Sequence, residues 1–355
     1  MNMSKKLKVI RDTFHGKKVL VLLSGGVDSS VLLYLAKKYA KEVIALTLVS
    51  DIFRGDLIER AKKFAKELGV KHILVDFPIL SYEEYIANTS MRCYICKRKV
   101  CELARKIAEE NGIDIIADGT NYSDLSDNRP GLIALKEYNI VSPFVDAKIK
   151  KEEIRKLAKE LNIEWYNDPP ESCYATRIIY GKITRERIRR IAKAEDFLRK
   201  EFKLKLVRVR DHEEIARIEL SLDDIHKLSP TDFPKIVKKI KSLGFKYVTL
   251  DLSGYHSEIL NSEKLVRDKI PCIAKKKARI ASKDEVFVFL KRKLIEEAHE
   301  FYRNPTLEEL ADMYQVIEEI LRMKGQTFES LIEFKKKKAV ERGAFSKGYV
   351  IKIEN

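Results

Sequence analysis

In the first half of the chain, short unbroken apolar runs alternate with stretches whose apolar positions recur every three to four residues. Val19–Leu23 has no polar member. A strand buried on both faces reads this way, which predicts a parallel strand covered by helices. Val43–Val49, Ile73–Phe77 and Ile113–Ala117 repeat the pattern. Helix spacing falls between them: up to about Tyr39, over Leu57–Leu68 before Gly69, over Cys96–Asn111 before Gly112, and over Glu152–Leu161. Strands alternating with helices predict a parallel sheet with crossover helices.

The pattern changes at Asn167-Asp168-Pro169-Pro170, which reads as a loop. A basic helix over Arg185–Arg199 follows, then strands at Leu206–Arg210 and Ala216–Leu220, a helix near Phe233–Leu243 and a strand at Tyr247–Leu252. This predicts a small α+β unit. After a second boundary near Gly254–Asn261 the periodicity is helical, over Val286–Tyr302, Thr306–Lys324 and Phe328–Val340. The expected domains are residues 1–166, 167–260 and 261–355. A chain of 355 residues fits two or three domains.

Charge adds a partner class. Lys plus Arg number 70 against 54 Asp plus Glu, a net charge of +16. A basic balance suits nucleotides, phosphates, nucleic acid or anionic membranes. The competing explanation is a surface rich in both Lys and Glu, of the thermophile type. At 45% hydrophobic residues the chain is neither a disordered acidic tail nor collagen-like. No apolar run approaches the ~20 residues of a spanning helix. No apolar segment follows the charged Met1–Lys8, so a signal peptide is not expected and the expected location is cytoplasmic. Five cysteines without a signal point to a reducing compartment and to metal or redox chemistry.

Ser24-Gly25-Gly26-Val27-Asp28-Ser29-Ser30 follows the first strand directly. Two glycines let backbone approach an anion, and the next helix offers free N–H groups and a positive dipole end. Ser24, Ser29 and Ser30 add hydroxyls. Asp28 would repel a phosphate unless a cation bridges them, which implies Mg²⁺. The Lys of a Walker A loop is absent. SGGxDS after a strand resembles the PP-loop of the ATP pyrophosphatase superfamily, which cleaves ATP to AMP and pyrophosphate while adenylylating its substrate.

Cys93 and Cys96 form a CxxC pair before a predicted helix, and Cys173 lies in a separate loop. Such a pair binds metal, forms a redox disulfide, or is incidental. A four-thiolate zinc site would also need Cys101, with difficult geometry.

Together the motifs resemble LarE-type ATP-dependent sulfur transferases of lactate racemase cofactor synthesis, over about residues 1–258. They are SGGVDSS, RCYICK (Arg92–Lys97), ADGTNYSDLSDNRPG (Ala117–Gly131), SPF (Ser142–Phe144), ESCYATR (Glu171–Arg177), YGKIT (Tyr180–Thr184), RVRDHEEIARIE (Arg208–Glu219) and LGFKYVTLDLSGY (Leu243–Tyr255). The resemblance implies adenylylation of a carboxylate of a pyridinium-3,5-dicarboxylate mononucleotide, loss of pyrophosphate, and conversion to a thiocarboxylate. It implies two routes for sulfur. Cys173 donates its own sulfur and becomes dehydroalanine, or Cys93, Cys96 and Cys173 hold a 4Fe–4S cluster with one iron left for an extra sulfide. Retention of the CxxC favours the cluster. Arg208, Arg210, Arg217 and Glu219 are then expected at the substrate phosphate, against the alternative of exposed strand charges. Asp118 and Asn121, after a buried strand, are expected at ATP; Asp124, Asp127 and Arg129 are weaker candidates. Asp28 and Cys173 carry the catalytic expectation.

In the last hundred residues, Glu296, Glu297 and Glu300 on one helix and Glu309 and Asp312 on the next have helical spacing that groups carboxylates on one face. Such oxygens suit Mg²⁺ or Mn²⁺. With Lys264–Ile270 and Arg342-Gly343-Ala344-Phe345, the block resembles MazG-like nucleotide pyrophosphohydrolases. The alternatives are an ordinary acidic surface or a helical oligomerisation unit. The expected fold is thus α/β: a parallel-sheet PP-loop domain of the adenine nucleotide alpha hydrolase type, a small α+β domain, and an all-α MazG-like domain. The expected cofactors are ATP, Mg²⁺ and a 4Fe–4S cluster, the expected assembly a homo-oligomer. The rival function is a tRNA thiolase of the same superfamily, favoured by the +16 charge but lacking a visible tRNA-binding module.

Overall fold

The computed structural model describes residues 2–89, 91–126, 131–255, 265–273, 278–303 and 305–349. The chain divides into two compact units, residues 1–257 and 258–355.

The first unit is built on strands β1 (Lys18–Leu22), β2 (Glu42–Val49), β3 (Lys71–Asp76) and β4 (Ile115–Ala117). They run in the order β3-β2-β1-β4, every pairing parallel. The apolar runs of β1 and β2 are explained by burial on both sides, whereas the edge strand β3 is only partly buried. Val19 and Val21 enter one core with Val31, Leu32, Phe144 and Ile154, whereas Leu20, Ile44 and Leu46 enter another with Cys101, Ala104 and Ile107. Helices α1 (Met3–Phe14), α2 (Val27–Tyr39), α3 (Gly55–Glu67), α4 (Glu83–Ile86) and α5 (Arg92–Glu110) supply much of this cover.

Two helices differ from expectation. Helix α1 was not anticipated: its core stripe is only Lys6, Ile10 and Phe14, at i, i+4 spacing, and its start is capped by the Asn2 side chain, which accepts from Lys5 N at 3.1 Å. Helix α5 begins at Arg92, four residues before the predicted start. Its N-cap, Met91, supplies no side-chain bond, so the usual polar marker is missing. The CxxC pair therefore lies within the helix, and i, i+3 spacing puts Cys93 and Cys96 on one face.

A second sheet holds β5 (Val207–His212), β6 (Ile215–Leu220) and β7 (Tyr247–Leu250). β5 and β6 pair antiparallel, β6 and β7 parallel. Val207, Val209, Ile218 and Leu220 pack with Ala194 and Leu198 of the helix Arg185–Phe202 and with Ile236 and Ile240 of the helix Phe233–Lys241. The opposite face carries Arg208 across from Glu219 and Arg210 across from Arg217.

The second unit contains the helices Lys283–Arg303, Leu307–Met323 and Phe328–Arg342, each within a few residues of its predicted span. The proposed boundary itself falls largely on 256–264, outside the described residues, as do Asp127 and Arg129.

Candidate active site

The glycine loop joins β1 to α2 at the carboxyl edge of the sheet, where open α/β sheets receive ligands. Gly25 has φ +77°, and a Cβ there would lie 2.1 Å from the Leu57 carbonyl oxygen. Only glycine fits that conformation and that contact. Gly26 caps α2, whose first-turn amides lack intrahelical acceptors. The hydroxyls are partly spent within the loop. Ser30 Oγ donates to the Gly26 carbonyl at 2.8 Å and is buried; Ser29 Oγ donates to the same oxygen at 3.1 Å and lies 3.0 Å from Ser24 Oγ.

Beyond β4, Asp118 and Asn121 are both buried beside this loop. Asn121 Nδ2 donates to Asp28 Oδ2 at 3.2 Å. Burial pushes the Asp28 carboxyl above its usual range, Lys151 opposes that, and nearby Asp124 adds to it. Asp118 accepts from Thr120 N and Ser142 Oγ, each at 3.0 Å, and pairs with Lys97 Nζ at 3.1 Å. Burial alone would raise the Asp118 carboxyl, but Lys97 outweighs it and the net shift is downward. Gly119 is needed for closeness: a Cβ there would lie 3.0 Å from Ser29 N. Arg60 donates to the Gly25 carbonyl at 3.4 Å and to Asp168 at 2.8 Å, and borders a cleft of about 500 Å³ with Trp165 and Lys63.

Two of the three expected cysteines share a cluster, and Cys93 is exposed one helical turn before Cys96. Cys96 and Cys173 pack against one apolar cluster with Tyr85, Ile95 and Tyr174. Burial pushes the Cys96 thiol well up, Cys173 pushes it further, Lys97 pulls it back, and Cys93 adds a smaller push. Cys101, by contrast, is buried in the core under the sheet, where burial raises its thiol to about 11. It is a packing residue. Cys272 is exposed in the second unit.

Sequence reasoning missed what holds the Cys173 loop. Arg177 is fully buried. Its Nη1 donates to the Ser172 carbonyl at 2.6 Å, the Cys173 carbonyl at 2.8 Å and Ser172 Oγ at 2.8 Å. Its Nε donates to Glu195 Oε1 at 3.0 Å. Glu195, on the helix Arg185–Phe202, also takes Arg199 at 2.5 Å and the Val209 amide at 3.0 Å. Burial would raise the Glu195 carboxyl, but Arg177 and Arg199 dominate and hold it at about 2. An ESCYATR arginine and a helical Glu carry no spacing signal that ties them together.

Glu171 gathers three guanidiniums: Arg54, Arg177 at 3.5 Å and Arg208 at 3.4 Å. Among the expected phosphate ligands, Arg208 also donates to the Pro170 carbonyl and lies over the Tyr255 ring. Arg210 donates to Glu219 at 2.9 Å and to the Thr176 carbonyl at 3.1 Å. Arg217 reaches Glu219 at 3.0 Å and Asp251 at 2.9 Å, and keeps 36% of its side chain exposed. The face thus ties the second sheet to the Cys173 loop.

In the second unit, Glu296, Glu297 and Glu300 bring carboxylate oxygens within 4.8 Å of one another, and so do Glu297, Glu309 and Asp312. Lys293 pairs with Glu296 at 2.9 Å and Glu297 at 2.5 Å, and Arg267 pairs with Asp312. Burial, then the Glu297 charge, pushes the Glu300 carboxyl up.

Comparison with known proteins agrees with this geometry. The family described as thiamine biosynthesis protein (ThiI) matches residues 14–199. An uncharacterized protein of Methanocaldococcus jannaschii is 38% identical over 253 residues, 70% of this chain and 94% of the relative. The pyridinium-3,5-bisthiocarboxylic acid mononucleotide synthase of Lactiplantibacillus plantarum is 32% identical over 261 residues, 73% of this chain and 94% of that enzyme. A probable tRNA sulfurtransferase of Methanothermobacter thermautotrophicus is 33% identical over 157 residues, 41% of this chain and 40% of its own length. The chain belongs to the PP-loop family, in its LarE-type branch of ATP-dependent sulfurtransferases. No helix among the described residues is long and apolar enough to cross a membrane.

Proposed function

We propose that the chain adenylylates a carboxylate of a pyridinium-type dicarboxylate mononucleotide and replaces the activated oxygen with sulfur. The observation that carries this reading is the packing of Cys96 and Cys173 against one apolar cluster, in a loop pinned by Arg177, with Cys93 one helical turn from Cys96. The glycine loop and the first turn of α2 would cradle the ATP phosphates, with Asp118 and Asn121 at the nucleotide. Asp28 would hold Mg²⁺, which would neutralise phosphate charge; the raised Asp28 carboxyl supports a need for a cation. A substrate carboxylate oxygen bonds to the α-phosphorus as pyrophosphate departs with the broken P–O pair. Sulfur then bonds to the acyl carbon, and AMP leaves. Arg217, with Arg208 and Arg210 behind it, would receive the substrate phosphate, and the three guanidiniums around Glu171 support an anion there.

Three thiolates fit a 4Fe–4S cluster, which would supply the transferable sulfide. Apolar walls and the shared burial of Cys96 and Tyr85 support that fit. Sacrifice of the Cys173 sulfur is the alternative donor. A work-up after turnover decides between them: dehydroalanine at position 173 in iron-free protein supports sacrifice. The overall reading is tested by sulfide-dependent formation of AMP, pyrophosphate and thiocarboxylate. Thiolated tRNA instead would support the rival assignment.

A second activity is proposed for residues 261–355. Glu297 is 3% exposed and its Oε2 has no hydrogen-bond partner among the described residues, although carboxylates surround it. A divalent cation held by Glu296, Glu297, Glu300, Glu309 and Asp312 would neutralise that charge and favour attack of water on a nucleotide pyrophosphate. Loss of nucleoside triphosphate hydrolysis in Glu297→Gln supports this; unchanged activity leaves the unit as a scaffold, with oligomerisation as its role.

A further inference from the structure

Tyr85 lies in α4 and is 1% exposed, within the apolar cluster that takes in Cys96 and Cys173. Its hydroxyl has no hydrogen-bond partner among the described residues. A buried phenol ordinarily finds an acceptor for its proton. The groups whose charge reaches this hydroxyl are Cys173, Cys96, Arg92 and Cys93. Arg92 is a donor only and cannot receive the proton. Among these groups the acceptors are sulfurs, and Cys96 and Cys173 pack against the same cluster as Tyr85. A neutral thiol accepts weakly, whereas sulfur carrying negative charge accepts well.

We propose that Tyr85 donates a hydrogen bond to the sulfur held between Cys93, Cys96 and Cys173, and so is a positioning residue that sets the electron affinity of that centre. The inference rests on the reading that these three cysteines hold an iron–sulfur cluster. A donor aimed at cluster sulfur stabilises the additional negative charge of the reduced form, which moves the reduction potential upward. The apolar shell amplifies this, because a hydrogen bond is electrostatically stronger away from water. Tyr85 adds no ligand.

The experiment uses the full chain, reconstituted anaerobically with iron and sulfide. Iron content, acid-labile sulfide, melting temperature and midpoint potential are measured for three proteins: wild type, Tyr85→Phe, and a variant with 3-fluorotyrosine at position 85. The phenylalanine removes the donor and keeps the ring. The fluorinated phenol is a stronger donor of nearly the same shape. The expected result is equal iron and sulfide in all three, with the potential moved negative in Tyr85→Phe and positive in the fluorotyrosine variant. Equal potentials with intact clusters would overturn the role of Tyr85 alone, as would shifts of the same sign in both variants. If Tyr85→Phe loses its cluster altogether, the fluorotyrosine variant decides, and no upward shift there overturns the proposal. A wild-type protein that takes up no iron or sulfide removes the cluster reading and this inference with it.

Discussion

Around Cys173 buried charges are held in ion pairs: Arg177 meets Glu195, Arg210 meets Glu219, and Glu171 sits among three guanidiniums. Around Glu297 the balance is different. Lys293 and Arg267 are among the cations paired there, five carboxylates gather, and one buried Glu297 oxygen has no hydrogen-bond partner among the described residues. The first arrangement is organised before any ligand arrives, which suits chemistry that needs a sulfur held in register. The second is the arrangement for which we propose a cation. Preorganisation and ligand dependence are thus assigned to separate units of one chain.

The comparison yields predictions of decreasing size. Cys173→Ala should reduce thiocarboxylate formation to background while ATP–pyrophosphate exchange with substrate persists, because each sulfur route needs that thiolate. Persistence of product in this variant would separate the cysteine loop from the chemistry. Glu195→Gln leaves Arg177 and Arg199 without their buried counter-charge. Breaking such a pair costs about 3–5 kcal/mol, read as a lower urea midpoint. Its pH signature follows from the Glu195 carboxyl, held at about 2 in the fold. The group contributes stability that is full above its unfolded value near 4.5 and fades as pH falls toward about 2. Denaturation curves between those values should be flatter in Glu195→Gln than in wild type. Gly25→Ala places a side chain at positive φ, at a strain of about 1–3 kcal/mol before the clash with Leu57 is counted. ATP binding measured by calorimetry should weaken well beyond the loss in stability. Last, Mg²⁺ should raise the melting temperature of the second unit's transition, by as much as about 2.7 kcal/mol of stabilisation at a hundredfold excess over Kd. Glu297→Gln should abolish that gain; equal gains in both proteins would end the metal reading.

The parallel sheet was legible because β1 and most of β2 are buried and carry long apolar runs, whereas β3 at the sheet edge is only partly buried. The glycine loop was legible because Gly25 answers a local steric demand that no other residue meets. The start of α5 was not, since Met91 supplies no side-chain bond to mark it. Helix α1 was hidden by its charge, with Lys6 buried against Glu153 at 2.7 Å instead of facing water. The cysteines could be named from motifs, but their supports could not. Arg177 lies close to Cys173 in the chain, but Glu195 and Arg208 reach that loop from distant elements, and only the folded chain brings them together.

The most direct test incubates the anaerobically reconstituted chain with ATP, Mg²⁺, sulfide and pyridinium-3,5-dicarboxylate mononucleotide, and follows the products by mass spectrometry. The account predicts AMP, pyrophosphate and a thiocarboxylate in equal amounts, with the thiocarboxylate absent in Cys173→Ala. AMP and pyrophosphate without any thiocarboxylate, or sulfur appearing only in added tRNA, would contradict it.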